Sequence, residues 1–445
     1  MRELLRRPAL IRSLSTSSAC ASPLKLHRYQ EEAVQACKDA LAAGRTRIGV
    51  SLPTGSGKTI VFLTLLSRIK PPAHNPTAKG ALVIVNNIEL VRQTVGQARR
   101  LFPEWTIAID QGPNRPASTN VDLIVATPQT LSKPERLSAY DPHMLKAIVV
   151  DEAHHAAAPS FRAILSKYHP EIAPPSDVPL VPAPCPPVPI IGFTATWMRL
   201  DGLGLGTVFE RIVYERAFLD MVREGRLCKM RVTVCVGINL KAVRIDERTG
   251  DLNVGTLAQI MDTPEMNRFI VKTWKEKAGH RKSTLVFCID RTHLRALTDE
   301  FRAAGVHAEY LDRGTDPVRR RLLLDAFRQG TLQVLLNVQI LMEGADVSNI
   351  DCIVLARPTQ SQTLLMQMIG RGTRHSPATG KEDCHIIDFT DTAKRAGGLK
   401  LAPSLFGIDP PDIVSRASLC VVTLFPHCQH TLEFRQSQGG ETELQ

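Results

Sequence analysis

No stretch of the 445 residues reaches about eighteen consecutive apolar residues, so no α-helical membrane span can be read from the sequence. The ten cysteines include no C-x-x-C pair and no zinc spacing through the body of the chain, which is the usage of free thiols in a reducing compartment. Cys420, His427, Cys428 and His430 crowd near the end, but their spacing matches no usual zinc pattern, and no structural zinc is expected. Acidic residues are scarce at the start: Glu3 stands alone against Arg2, Arg6, Arg7 and Arg12. Helical periodicity is missing from about Ser415 onward. The P-loop expression G-x-x-x-x-G-K-[ST] lacks its first glycine, because Leu52 occupies that place ahead of Gly57, Lys58 and Thr59.

What is there fits an ordinary globular protein, with 43% hydrophobic and 22% charged residues over a length that suggests two domains. The net charge of +11 favours a polyanionic partner. Residues 1–20, arginine-rich and acid-poor with a following serine and threonine cluster, have the composition of a mitochondrial presequence. Arg12, Ser13, Leu14 and Ser15 look like a matrix-protease cleavage context, so the expected location is the mitochondrial matrix. A merely disordered basic terminus is the alternative. The four arginines and one glutamate amount to +3, which leaves +8 of the +11 on the remainder.

Short apolar runs alternate with helical patterns. "RIGVSLP", "ALVIVNN", "DLIVATP", "AIVVDEAH" and "IIGFTAT" recur through residues 47–196, and "TLVFCID", "HAEYLDR", "QVLLNVQ", "CIVLARP" and "CHIIDFT" fill 284–390. Continuous apolar strands between helices predict an α/β protein with two parallel, doubly wound sheets. Domains are expected over 24–220 and 221–392, with an atypical tail over 393–445. Ligands of such sheets sit beyond the carboxyl ends of strands, where the polar residues of "SLPTGSGKT", "VVDEAHH" and "GFTAT" fall. The proline-rich segment 169–190 cannot form helix or central strand and reads as a semi-rigid surface loop, with a docking peptide as the alternative.

The chemistry of a nucleotide site is distributed along this frame. Pro53, Thr54, Gly55, Ser56 and Gly57 supply a loop whose backbone N–H groups can turn inward at the N-terminus of a helix. Lys58 would bridge β and γ oxygens and Thr59 would ligate magnesium. Asp151 and Glu152 end an apolar strand, Asp151 suited to the magnesium shell and Glu152 to orienting and deprotonating a water. An N-terminal helix cap is the plainer reading of that pair. Far downstream, "QMIGRGTR" offers Gln367, Arg371 and Arg374, the arginines three apart and on one face if the segment is helical. They can stabilise charge developing on the γ-phosphate when two domains close.

With these motifs in order, the chain resembles the superfamily 2 helicases and translocases, which consist of two RecA-like domains closing on ATP. "LHRYQ", "PTGSGKT", "NNIELVRQ", "ATPQTL", "DEAH", "TAT", "FCIDRTHL", "VQILMEGADV" and "QMIGRGTR" follow the family's motif order over about residues 24–392. The resemblance implies ATP and Mg2+ as cofactors, Arg28 and Gln30 at the adenine, and Asp346 and Gln367 at the nucleotide. It implies His154, Thr194 and Thr196 as residues that couple hydrolysis to movement. A strand of nucleic acid would be followed by Asn87, Arg92, Gln93, Thr127 and Gln129 in the first domain and by Arg291, Thr292 and Asn337 in the second. Each of these could alternatively be a cap or a surface polar residue. Gln339 and Ala345 depart from the usual residue sizes without removing a catalytic group.

The flanks "DEAHHAAAPSFRAIL" and "DGLGLGTVFERIVYERAFLDMVREG" are similar to those of fungal mitochondrial ATP-dependent DNA helicases that act on branched DNA. Leu52-Pro53-Thr54 and the "LHRYQ" start fit DNA-acting branches better than RNA helicases, so DNA is the expected partner and RNA the alternative. A restriction-type translocase would need a nuclease motif, and none is evident. A binding module with a dead ATPase is disfavoured because Lys58, Asp151, Glu152, Arg371 and Arg374 are all present. The tail beyond Ser415 reads as a truncated product or a gene model running into an intron.

Overall fold

Alternate residues of each apolar strand pack on opposite sides of a sheet, and here both sides are covered. The computed structural model describes residues 25–116, 118–178, 186–197, 204–236, 238, 240, 242–247, 249–338, 340–341 and 347–389, with the backbone of Cys420–Thr423 and Leu432–Glu433. The first sheet contains β1 (Arg47–Ser51), β2 (Gly80–Ile84), β3 (Ile107–Asp110), β4 (Leu123–Ala126), β5 (Leu145–Asp151), β6 (Ile190–Thr194) and β7 (Arg211–Glu215). Their spatial order is β3-β4-β2-β5-β6-β1-β7, and every pairing is parallel.

The second sheet contains β8 (Lys229–Val236), β9 (Thr284–Phe287), β10 (Ala308–Leu311), β11 (Val334–Asn337), β12 (Cys352–Leu355) and β13 (Asp383–Asp388), in the order β10-β11-β9-β12-β13-β8. These pairings are parallel as well. The backbone of Cys420–Thr423 adds a parallel segment beyond β8, and Leu432–Glu433 pairs with β8 in the antiparallel sense.

In the first sheet Val83, Val125, Val149 and Phe193 face one apolar cluster, while Leu82, Ile124, Ile148 and Ile190 face another. In the second, Leu285, Leu335 and Ile353 belong to the first of these clusters, and Val286, Leu336 and Val354 to a third. One apolar body thus continues from sheet to sheet. Two parallel sheets buried on both faces confirm the α/β, doubly wound expectation and the tandem RecA-like arrangement. No helix among the described residues is long and apolar enough to cross a membrane. Residues 179–185 of the proline-rich segment, residues 1–20 with the expected presequence, and Gln339, Ala345 and Asp346 lie outside the described residues, as does most of the tail.

Candidate active site

The loop after β1 turns because two glycines take left-handed backbone angles, Gly55 at φ +89° and Gly57 at φ +80°, which other L-residues adopt only with strain. Gly57 is the N-cap of the helix Lys58–Arg68, so the first N–H groups of that helix face the loop. Leu52, where the strict pattern has glycine, extends β1: its N–H donates to Thr194 O at 2.9 Å and its side chain is wholly buried. No left-handed angle is needed there, and leucine is accommodated.

Tyr29 Oη and Gln30 Nε2 both donate to Ser56 O, at 2.7 and 3.1 Å, while Gln30 Oε1 accepts from His27 N at 3.0 Å. Gln30 therefore braces the loop from behind. Arg28 lies on the surface, paired with Glu32 at 2.8 Å. Pro53 and Ser56 are buried within the loop.

A cavity opens where the loop meets the C-terminal end of β5 and the turn after the helix Gln362–Ile369. Thr54, Gly55, Gly57, Lys58 and Thr59 line it from the loop, Asp151 and Glu152 from β5, and Arg371 and Arg374 from the second domain. Lys58 Nζ lies 3.7 Å from Glu152 Oε1 and 3.5 Å from Leu52 O. Glu152 is the one non-glycine among the described residues with positive φ, at +50°. Such backbone costs about 1–3 kcal/mol and persists only where its surroundings enforce it. Asp151 Oδ1 accepts from Glu152 N at 3.0 Å. Thr54 Oγ1 is buried without a hydrogen-bond partner, so the cavity retains an unused polar group beside two glycines. Thr59 and Asp151 together offer a hydroxyl and a carboxylate, oxygen ligands suited to Mg2+.

Gly370 follows the helix Gln362–Ile369, so Arg371 and Arg374 lie in the turn after the helix rather than on it. Both still reach the same cavity. Arg371 is 6% exposed, with Nε donating to Gln367 O at 3.3 Å. Gln367 itself is buried on the helix and does not line the cavity. The domains meet tightly here: Thr373 Oγ1 is 3.1 Å from Thr54 O, and a side chain at Gly370 would strike Thr54 Cβ at 2.5 Å.

The three residues expected to couple hydrolysis to movement form one chain of contacts. Glu152 Oε2 lies 3.4 Å from His154 Nδ1, which is 3.1 Å from Thr194 Oγ1. Thr194 Oγ1 accepts from Thr196 N at 3.3 Å. Thr196 Oγ1 is 2.8 Å from Thr363 Oγ1, on the helix that leads to Arg371. Thr363 was absent from the sequence expectations, since nothing in its surroundings marks it as a partner of Thr196.

The residues expected along a nucleic-acid strand divide. Arg92, Gln129, Arg291 and Thr292 are exposed. Asn87 caps the helix Ile88–Leu101 by accepting from Leu90 N at 2.9 Å, and Arg291 pairs with Asp312 at 3.1 Å. Thr127 is buried with its hydroxyl 2.9 Å from that of Thr130. Asn337 is wholly buried, donating to Val286 O at 3.0 Å and accepting from Leu341 N at 3.3 Å, so its amide is used inside the domain instead of on a strand path. Gln93 lines the same cavity as Lys58 and Glu152.

The family model described as "Type III restriction enzyme, res subunit" matches residues 23–199, and the "Helicase conserved C-terminal domain" model matches 265–376. The chain belongs to the superfamily 2 helicases. It is 35% identical over 91% of its length to IRC3 of Saccharomyces cerevisiae and 37% identical over 88% to the mitochondrial irc3 of Schizosaccharomyces pombe, both with "ATP-dependent helicase" in their names. The chain spans 57% and 61% of those relatives' lengths. Among solved structures it is similar to the Type ISP restriction-modification enzyme LlaBIII bound to DNA, with a TM-score of 0.62 at 15% identity over 90% of this chain and 31% of that one. It is also similar to S. cerevisiae Dbp5 bound to RNA and ADP BeF3, with a TM-score of 0.55 at 17% identity over 82% of this chain and 84% of that one. At such identities these two likenesses concern the fold.

Proposed function

We propose that this chain is an ATP-hydrolysing DNA helicase or translocase that remodels branched DNA in the mitochondrial matrix. The observation that carries the reading is the meeting of Lys58, Asp151 and Glu152 of the first domain with Arg371 and Arg374 of the second around one cavity. In this reading the loop N–H groups and Lys58 hold the phosphates of ATP, and Glu152 takes a proton from the attacking water. Thr59 and Asp151 would hold Mg2+, which when bound neutralises charge on the phosphates. Arg371 and Arg374 donate to oxygens where negative charge grows during transfer. The contacts from Glu152 through His154, Thr194 and Thr196 to Thr363 give the water-activating carboxylate a path to the second domain.

DNA as partner is supported by the "LHRYQ" start, the Leu52-Pro53-Thr54 loop and the net charge of +11. The matrix location is supported by the four arginines before Ser13 and by the word mitochondrial in the S. pombe relative's name. Neutralising Arg2, Arg6, Arg7 and Arg12 together should leave the protein in the cytosol; unchanged import would refute the presequence. For the chemistry, Lys58→Ala should lose ATP binding and hydrolysis together, whereas Glu152→Gln should bind ATP and not turn it over. A Glu152→Gln enzyme with normal turnover would remove the proposed base.

A further inference from the structure

The helix Ile88–Leu101 presents Leu90, Gln93 and Gln97 to the nucleotide cavity, positions that recur at helical spacing. Its residues Val91, Thr94, Val95 and Ala98 are buried in the core, so the two glutamines stand half-buried at the edge of a packed face. Gln97 Oε1 accepts from Arg100 Nη2 at 2.6 Å. Among the described residues the Gln93 amide makes no hydrogen bond, although it faces the same cavity as Thr59, Asp151, Glu152 and Arg371. The cavity that Gln93 lines is walled by Thr54, Gly55, Gly57, Lys58 and Thr59 of the glycine-rich loop. One turn earlier on the same helix, Glu89 is 3.2 Å from Arg320 Nη1, on the helix Pro317–Arg328 of the second domain.

We propose that Gln93 senses the terminal phosphate of bound ATP through its side-chain amide, and that the helix Ile88–Leu101 passes this contact to the second domain through the Glu89–Arg320 ion pair. The proposal rests on the reading of the cavity as an ATP site. It gives one helix two roles, a phosphate contact and a domain contact, separated by a single turn.

The test is equilibrium binding of a non-hydrolysable ATP analogue and of ADP to the full chain, for the wild type, Gln93→Leu, Gln93→Glu and Lys58→Ala. Gln93→Leu should weaken the ATP analogue by about tenfold, as expected when a hydrogen bond to a charged group is removed, while ADP changes by less than about twofold. Gln93→Glu keeps the length and polarity of the side chain and should weaken the ATP analogue further by repulsion, which preserves the test if the leucine variant folds poorly. Equal losses for both nucleotides, or no loss for either, would overturn the proposal. Normal ATP binding by Lys58→Ala would instead overturn the ATP site itself. For the second half, Glu89→Ala should bind the ATP analogue normally yet lose the gain in DNA affinity that the analogue confers. A retained gain would exclude the ion pair as the link.

Discussion

Replacing Arg371 by alanine separates nucleotide binding from turnover. Arg371 is 6% exposed, donates from Nε to Gln367 O at 3.3 Å, and lines the cavity beside Lys58 and Glu152. An arginine supplied to a transferring phosphoryl group contributes about 10³ to 10⁵ in rate, or roughly 4 to 7 kcal/mol of barrier. Because Arg371 already borders the cavity, its loss should also weaken ATP binding, by about the tenfold that one charged hydrogen bond contributes. The turnover defect should exceed the binding defect by at least about a hundredfold. Arg371→Lys should not recover it, since an ammonium cannot reproduce the planar fork of donors. The assay is titration with a fluorescent ATP analogue beside steady-state ATPase, with and without DNA. Near-normal turnover in Arg371→Ala would refute the two-domain catalytic arrangement.

Gly55→Ala must hold φ near +89° and press against Thr373 Oγ1, so its DNA-stimulated ATPase should fall sharply; Gly44→Ala, at φ +81° with open space around it, should lower the melting temperature and leave ATPase intact. If Gly44→Ala loses activity equally, the domain contact is not what Gly55 protects. Thr363→Val breaks the 2.8 Å contact with Thr196, and should keep ATPase without DNA while reducing the stimulation by DNA, with Thr363→Ser restoring it. An unchanged stimulation ratio would remove Thr363 from the coupling path. Burial, with Arg281 and Arg231 nearby, pushes His385 down from 6.5 to about 3, outweighing the opposite pull of Asp383. The folded state then resists protonation that the unfolded chain accepts, so this contribution is complete above pH 6.5 and is lost as pH falls toward 3, reaching about 3 kcal/mol by pH 4. His385→Asn should flatten that acid slope in urea denaturation; an identical slope would contradict the assignment.

Each of the ten runs quoted from the sequence contains a strand, because strands covered on both faces leave mostly hydrophobic text, although β10 carries Glu309 and is only half buried. β7 and β8 were not legible. β7, "RIVYE", has no buried residue, and β8 begins "KMRV", where Lys229 and Arg231 break the apolar run. β3 has only four residues, two of them buried. The loop, the carboxylates and the arginines were legible because chemistry fixes their types and order. Gln93 was expected on a nucleic-acid strand and lines the cavity instead, because the sequence does not say which side of its helix meets the cavity. Asn337 shows the converse: a polar residue at a strand end can belong wholly to the interior.

The central claim is a motor whose ATP cycle is driven by DNA. Its most direct test is the steady-state ATPase rate of the full chain measured side by side with forked DNA, duplex DNA, single-stranded DNA and RNA at one salt concentration, since binding to phosphates falls steeply with salt. The account predicts stimulation by DNA above RNA, greatest with the fork. A rate unaffected by any nucleic acid, or raised equally by RNA, would contradict it.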